Sequence, residues 1–177
     1  MDLLTAEDLL ALHSQGGRTE LVRGRLVVRE PAGVRHGVIA GKFGARLANF
    51  VEANALGVVV AAETGFKLAS KPDTVRAPDV GFIRTARVPQ PLPKGYAEVA
   101  PDLAVEVLSP DDRAGEVLAK VADWLGAGSR LVWVADPERR MVRVYRADGS
   151  ESLVDADGSL DGEDVLPGFT CRVDALI

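Results

Sequence analysis

One glutamate constrains this chain more than any other residue. Glu106 lies inside Leu103-Ala104-Val105-Glu106-Val107-Leu108, an otherwise unbroken apolar run. Such a run reads as a strand buried on both faces. Alternation along the strand sets Glu106 on the face shared by Ala104 and Leu108. An isolated ionised carboxylate there costs on the order of several kcal/mol unless it is paired or coordinated. Glu106 therefore requires a partner.

Lys120 is the natural one. Ser109-Pro110-Asp111-Asp112 stops the strand and can cap a helix over 112–126, which Gly126 and Gly128 end. Val117, Val121 and Trp124 form the inward stripe of that helix, and Lys120 falls on its edge, three residues after Val117 and four before Trp124. A helix that follows a strand closely packs back on it, so Lys120 and Glu106 are expected to meet. A hard divalent cation would need a second carboxylate, and two Pro-Asp pairs compete. Asp102 shares the strand of Glu106, and at about 3.3 Å per residue it lies about 13 Å away. Asp79 opens a separate strand over 79–83, entered through Pro78. If that strand neighbours 102–108, the two carboxylates converge. Asp79 is favoured, and Asp102 reads as the residue that begins its strand.

The remaining pattern is that of an α/β fold occupying residues 1–177 as a single domain. Thr5-Ala6-Glu7-Asp8 starts a short helix that runs through about His13 and ends at Gly16-Gly17. Residues 19–29 read as two short strands about a turn at Arg23-Gly24. Over 35–53, Val38, Ile39, Phe43, Leu47, Phe50 and Val51 recur at helical spacing. Val58-Val59-Val60, 131–135 and 141–146 read as strands, the last two as a hairpin, while Pro89, Pro91 and Pro93 mark a long connection. The expected architecture is a central mixed sheet with the 35–53 helix on one side and the 112–126 helix on the other.

Composition narrows the chemistry. A single cysteine, Cys171, excludes an internal disulfide and thiolate zinc clusters, and two histidines exclude a His-rich metal site. Any metal must be held mainly by oxygen, which favours Mg²⁺ or Mn²⁺. There is no G-x-S-x-G, no phosphate-binding glycine loop and no G-x-G-x-x-G after a strand. No apolar stretch approaches the roughly 20 residues of a membrane span. The first residues carry Asp2, Glu7 and Asp8 but no Lys or Arg, unlike a signal peptide, so a cytoplasmic location is expected. The net charge of −5 argues mildly against sequence-blind nucleic-acid binding. Even so, seven bases over 18–46 stand against eight acids over 148–177. That asymmetry could present one positive face to DNA, or simply be two solvated surfaces.

Several segments together resemble a known family. These are Glu20-Leu21-Val22-Arg23-Gly24, His36 at the first long helix, Pro78-Asp79-Val80, and Pro101-Asp102-Leu103-Ala104-Val105-Glu106-Val107-Leu108-Ser109-Pro110. Lys120, Trp133-Val134-Ala135-Asp136-Pro137 and Leu166-Pro167-Gly168-Phe169 follow in order. The ordered set resembles the PD-(D/E)XK, restriction-endonuclease-like superfamily, and more narrowly its bacterial Uma-two endonuclease branch, along nearly the whole chain. The superfamily's usual lysine stands two residues after the glutamate, where this chain has Leu108, and the branch uses the helix lysine, here Lys120.

The resemblance implies metal-assisted phosphodiester hydrolysis in DNA. Asp79, Glu106 and the backbone carbonyl of Val107 would hold Mg²⁺, which acidifies water and polarises phosphate. Lys120 would orient the water and stabilise developing charge. Glu20 could extend the acidic cluster, and His36 could contact phosphate or shuttle a proton. Blander readings stand beside these. Glu106 and Lys120 could be a structural ion pair, Asp79 a turn residue, His36 a surface residue at a helix start, and Glu20 a partner of Arg23 or Arg25. Trp124 and Trp133 read as core, and Cys171 as a small buried residue. A nuclease-like module that binds or assembles without cutting is the alternative from another class, and a hydrolase of small phosphoesters is a third. A homodimer would suit cutting of two strands.

Overall fold

The computed structural model describes residues 3–12 and 18–177. The expected end of the first helix, at His13 and Gly16-Gly17, lies outside them. In chain order the elements are α1 (Ala6–Leu12), β1 (Arg18–Val22), β2 (Arg25–Arg29), α2 (Val34–Ala53), β3 (Gly57–Ala61), β4 (Phe66–Ala69), β5 (Thr74–Arg76), β6 (Val80–Arg84) and β7 (Leu103–Val107). They continue with α3 (Ala114–Gly126), β8 (Leu131–Asp136), β9 (Met141–Arg146), β10 (Glu151–Asp155), β11 (Ser159–Asp161) and β12 (Thr170–Arg172).

β7, the strand of Glu106, lies inside a six-stranded sheet of order β10-β9-β8-β7-β6-β3. Only its pairing with β8 is parallel, in register Leu103↔Leu131 to Val107↔Ala135. Parallel neighbours need a crossover, and α3 supplies it. Alternation along β7 divides the core in two. Leu103, Val105 and Val107 pack with Ile39, Phe43 and Leu47 of α2. Ala104 packs with Val121 and Trp124 of α3. The two long helices thus cover opposite faces of a mixed sheet, which is the expected α/β architecture. Leu103, Val105 and Val107 on one face and Ala104 and Glu106 on the other are all buried, so the strand has the two-sided burial its composition implied.

A second sheet, β2-β1-β5-β4, stands at the end of β7. Its β1–β2 hairpin turns through Arg23 and Gly24, both at positive φ (49° and 75°), the two-residue loop geometry that matches strand twist. Two local expectations are corrected. α3 begins at Ala114, not 112, and no side chain caps it. Asp112 instead accepts the Ser109 N–H at 2.8 Å, closing the turn that stops β7. Val38 belongs to the helical repeat by type, yet it is 53% exposed, because α2 turns Ile39, Phe43, Leu47 and Val51 inward.

Candidate active site

The site is assembled where β6 and β7 meet. They pair antiparallel with Val80 opposite Val105. The regular register ends there, and just beyond it the Asp79 N–H donates to the Val105 carbonyl at 3.0 Å, which keeps Asp79 against β7. Asp79 Oδ2 in turn accepts the Val107 N–H at 2.7 Å. These two bonds, to the residues on either side of Glu106, set Asp79 beside it. Asp102, at the other end of β7, is fully buried and ion-paired with Arg84 and Arg87 at 2.7 and 2.8 Å.

α3 approaches the sheet from one side and grips Glu106 twice. Lys120 Nζ donates to Glu106 Oε2 at 2.9 Å and Trp124 Nε1 to Glu106 Oε1 at 2.8 Å. The same ammonium reaches the Ala77 carbonyl at 2.8 Å and Glu20 Oε1 at 3.0 Å. Glu20, delivered by β1, is not paired with Arg23 or Arg25. It accepts from Arg76 on β5 and from the Ala77 N–H, each at 3.0 Å. Arg76 is held from behind by Asp123 at 2.6 and 2.9 Å. From the other side of the sheet, His36 in the first turn of α2 brings Nε2 to 3.2 Å from Asp79 Oδ2. Arg18 lies 3.3 Å from Asp79 Oδ1 and 3.3 Å from Glu63.

Glu20, Lys120 and Glu106 are therefore one bonded group and His36 and Asp79 another beside it, the two acting on each other through charge. Three members escaped the sequence reading: Arg76, Arg18 and the indole N–H of Trp124. A buried indole N–H usually seeks an acceptor, but tryptophan on an apolar stripe reads as core either way, so Trp124 carried only a weak signal. Arg76 and Arg18 carried none, since their partners are far away in sequence.

The electrostatics divide the carboxylates. Burial pushes the Glu106 carboxyl up to about 7, and Asp79 and Glu20 add to that rise while Lys120 opposes it. Burial also works against ionisation of Asp79, but His36, the Val107 N–H and Lys120 overcome it and hold Asp79 below the usual carboxylate range. Glu20 is lowered likewise, with Lys120 and Arg76 outweighing burial. The hydrogen bond to Asp79 leads the causes that raise His36, and burial opposes it. Burial works to lower Lys120, yet Glu106 and Glu20 keep it above its ordinary value. Two firmly ionised carboxylates thus flank one that titrates near neutrality, with a permanent ammonium between Glu20 and Glu106.

This donor set suits a hard cation. Asp79 and Glu106 offer carboxylate oxygens from adjacent strands. His36 and Lys120 lie against those oxygens, at 3.2 Å from Asp79 and 2.9 Å from Glu106. Among the described residues, no three Asp, Glu, His or Cys side chains enclose an ion by themselves. Mg²⁺ characteristically takes one or two carboxylates and completes its shell with water and phosphate. The network opens into a cleft of about 550 Å³. Val28 and Arg29 line it on the hairpin side, and Ser109, Asp112 and Glu116 on the α3 side.

No curated protein matches this chain. A crystal structure from Anabaena variabilis ATCC 29413, described as "a putative nuclease belonging to DUF820", superposes with a TM-score of 0.84. It is 19% identical, over 98% of this chain and 97% of that one, so it bears on the fold. No helix among the described residues is long and apolar enough to cross a membrane. The family described as "Putative restriction endonuclease", Uma2, matches residues 6–174, and on that match the chain belongs to the Uma2 family.

Proposed function

We propose that this member of a nuclease-like family is a Mg²⁺-dependent endonuclease that hydrolyses phosphodiester bonds in DNA. The observation that carries the reading is the meeting of Asp79 and Glu106 beside the backbone of Val107, with Lys120 bonded to Glu106 at 2.9 Å, at the base of an open cleft. Asp79, Glu106 and the Val107 carbonyl would hold the ion. A bound Mg²⁺ would supply a more acidic water and polarisation of the phosphate.

The protein's own groups do the rest. Lys120 presents a fixed positive charge where negative charge develops, and Glu20 and the Ala77 carbonyl hold it there. Arg76 and Asp123 brace Glu20 in turn. His36, raised in pKa by Asp79, can carry a proton at the cleft side of Asp79. Leu108 occupies the usual lysine position, and α3 delivers the ammonium from Lys120 instead.

The test is cleavage of plasmid, single-stranded and branched DNA with Mg²⁺ or Mn²⁺, comparing wild type with Glu106→Gln. Cutting that needs the metal and is lost in the variant is the expected result. One feature favours the alternative, a nuclease-like module that binds without cutting. Lys120 donates to Glu106 and to Ala77 and contacts Glu20, so its three protons all have protein partners. Absence of both cutting and Mn²⁺ binding would select that alternative.

A further inference from the structure

We propose that Trp124 is a positioning residue whose indole N–H reserves one oxygen of Glu106, so that a divalent cation meets only the other. This rests on the metal-dependent reading above and assigns a role within that site. Trp124 and Lys120 are four residues apart on α3, and the two donors engage different oxygens of one carboxylate, Oε1 and Oε2. Residues at this spacing lie one above the other on a helix face. Trp124 has no exposure, and its ring stands edge-on to Phe66 at 5.9 Å between centroids and 79° between planes. The indole is therefore held in place, and Oε1 is held on its buried side. Oε2 is the oxygen shared with Lys120, a residue that lines the cleft.

Trp133 provides the internal contrast. It too is fully buried, but its indole nitrogen has no hydrogen-bond partner among the described residues. This core does not supply acceptors to every indole, so the Trp124–Glu106 bond is a specific arrangement rather than a general consequence of burying tryptophan.

The chemical consequence concerns metal choice. Mg²⁺ requires near-octahedral geometry, whereas Ca²⁺ accepts carboxylates in one- or two-oxygen fashion. A glutamate with one oxygen reserved favours Mg²⁺ or Mn²⁺ over Ca²⁺. A glutamate released from the indole can offer both oxygens and loses that preference. Partners that orient metal-binding side chains typically govern affinity by 10–100-fold.

The chain has two tryptophans, so ¹⁵N-labelled protein gives two indole N–H signals. Mg²⁺ should shift the Trp124 signal and leave that of Trp133 in place. Trp124→Phe should weaken Mg²⁺ binding about tenfold and affect Ca²⁺ less, as read by competition against Mn²⁺ in electron paramagnetic resonance. Phe66→Leu, which disturbs the packing but keeps the donor, should lower Tm and leave the Mg²⁺-to-Ca²⁺ preference unchanged. Equal losses for both ions in Trp124→Phe, or no loss, would overturn the proposal. If that variant does not fold, the wild-type titration decides: ion binding with an unmoved Trp124 signal overturns it. A wild-type protein that binds no divalent ion would refute the metal-dependent reading itself, and this role would fall with it.

Discussion

A carboxyl enclosed by apolar neighbours gives up its proton reluctantly, and Glu106 does so only at about 7. The native state therefore holds the Glu106 proton over a range where the unfolded chain has lost it. Stability falls as pH rises from the ordinary glutamate range to about 7, and levels off above, where both states are ionised. The shift corresponds to about 3 kcal/mol. His36, raised by Asp79, contributes a fall of the same sign as it deprotonates, so a comparison isolates the carboxyl. Urea unfolding at pH 5 and pH 8 should show a larger decline for wild type than for Glu106→Gln. Equal declines would mean Glu106 ionises normally. Lys120→Met should be more damaging, because it leaves Glu20 and Glu106 buried without their shared cation. A loss of about 3–5 kcal/mol is expected at pH 8, and adding Glu106→Gln should recover part of it. The Glu106–Lys120 pair was legible in the sequence because a charged residue inside each of two apolar patterns demands an explanation. The Trp124 bond was not, since tryptophan on an apolar stripe fits a core whether or not its N–H finds an acceptor. The Glu20–Arg76 pair joins residues 56 apart and leaves no local pattern.

At the level of elements, strong periodicity was readable and short pieces were not. The α2 and α3 stripes follow from spacing, and the short link from β7 implied that α3 packs back on its strand, but the parallel pairing of β7 with β8 came only with the structure. β5 has three residues and β4 four, too few for alternation to show, so the small sheet beyond its β1–β2 hairpin escaped notice. The start of α3 was misplaced because Asp112 bonds back to Ser109 rather than forward to the helix. α2 carries a weakness that the sequence advertises but only the structure explains. Gly37 and Gly41 lie within this 20-residue helix, and a Cβ at either would meet nothing within 4 Å. Each costs about 1 kcal/mol relative to alanine. Gly37→Ala with Gly41→Ala should therefore stabilise the fold, raising Tm by about 5 °C in a chain of this length. A fall in Tm by differential scanning calorimetry would overturn this, showing that alanine at these positions costs the fold more than the helix propensity returns.

For the whole molecule, the question is how much of the basic character over 18–46 is free to meet phosphate. The structure spends several of those charges internally. Arg18 faces Asp79 and Glu63, Arg29 faces Asp112 and Glu116, and Arg35 faces Glu138. Arg23, Arg25, Lys42 and Arg46 have no ion pair among the described residues. The remaining surface is acidic enough to leave the chain at −5. Each neutralised phosphate contributes about 0.9 to the slope of log affinity against log salt on duplex DNA. Four free bases thus set a slope of about −3.6, while release of all seven would bring it to about −6.3. Fluorescence anisotropy of a labelled duplex with Glu106→Gln, which should leave the DNA uncut, measures this directly. A slope near the shallower value places the contacts on the free bases with the cleft's ion pairs intact. A slope near the steeper one means that DNA breaks the Arg29 bridge to Asp112 and Glu116, so that opening the cleft mouth accompanies binding. A slope indistinguishable from zero would contradict DNA as the substrate, because a polyanion cannot be held by this surface without releasing its counterions.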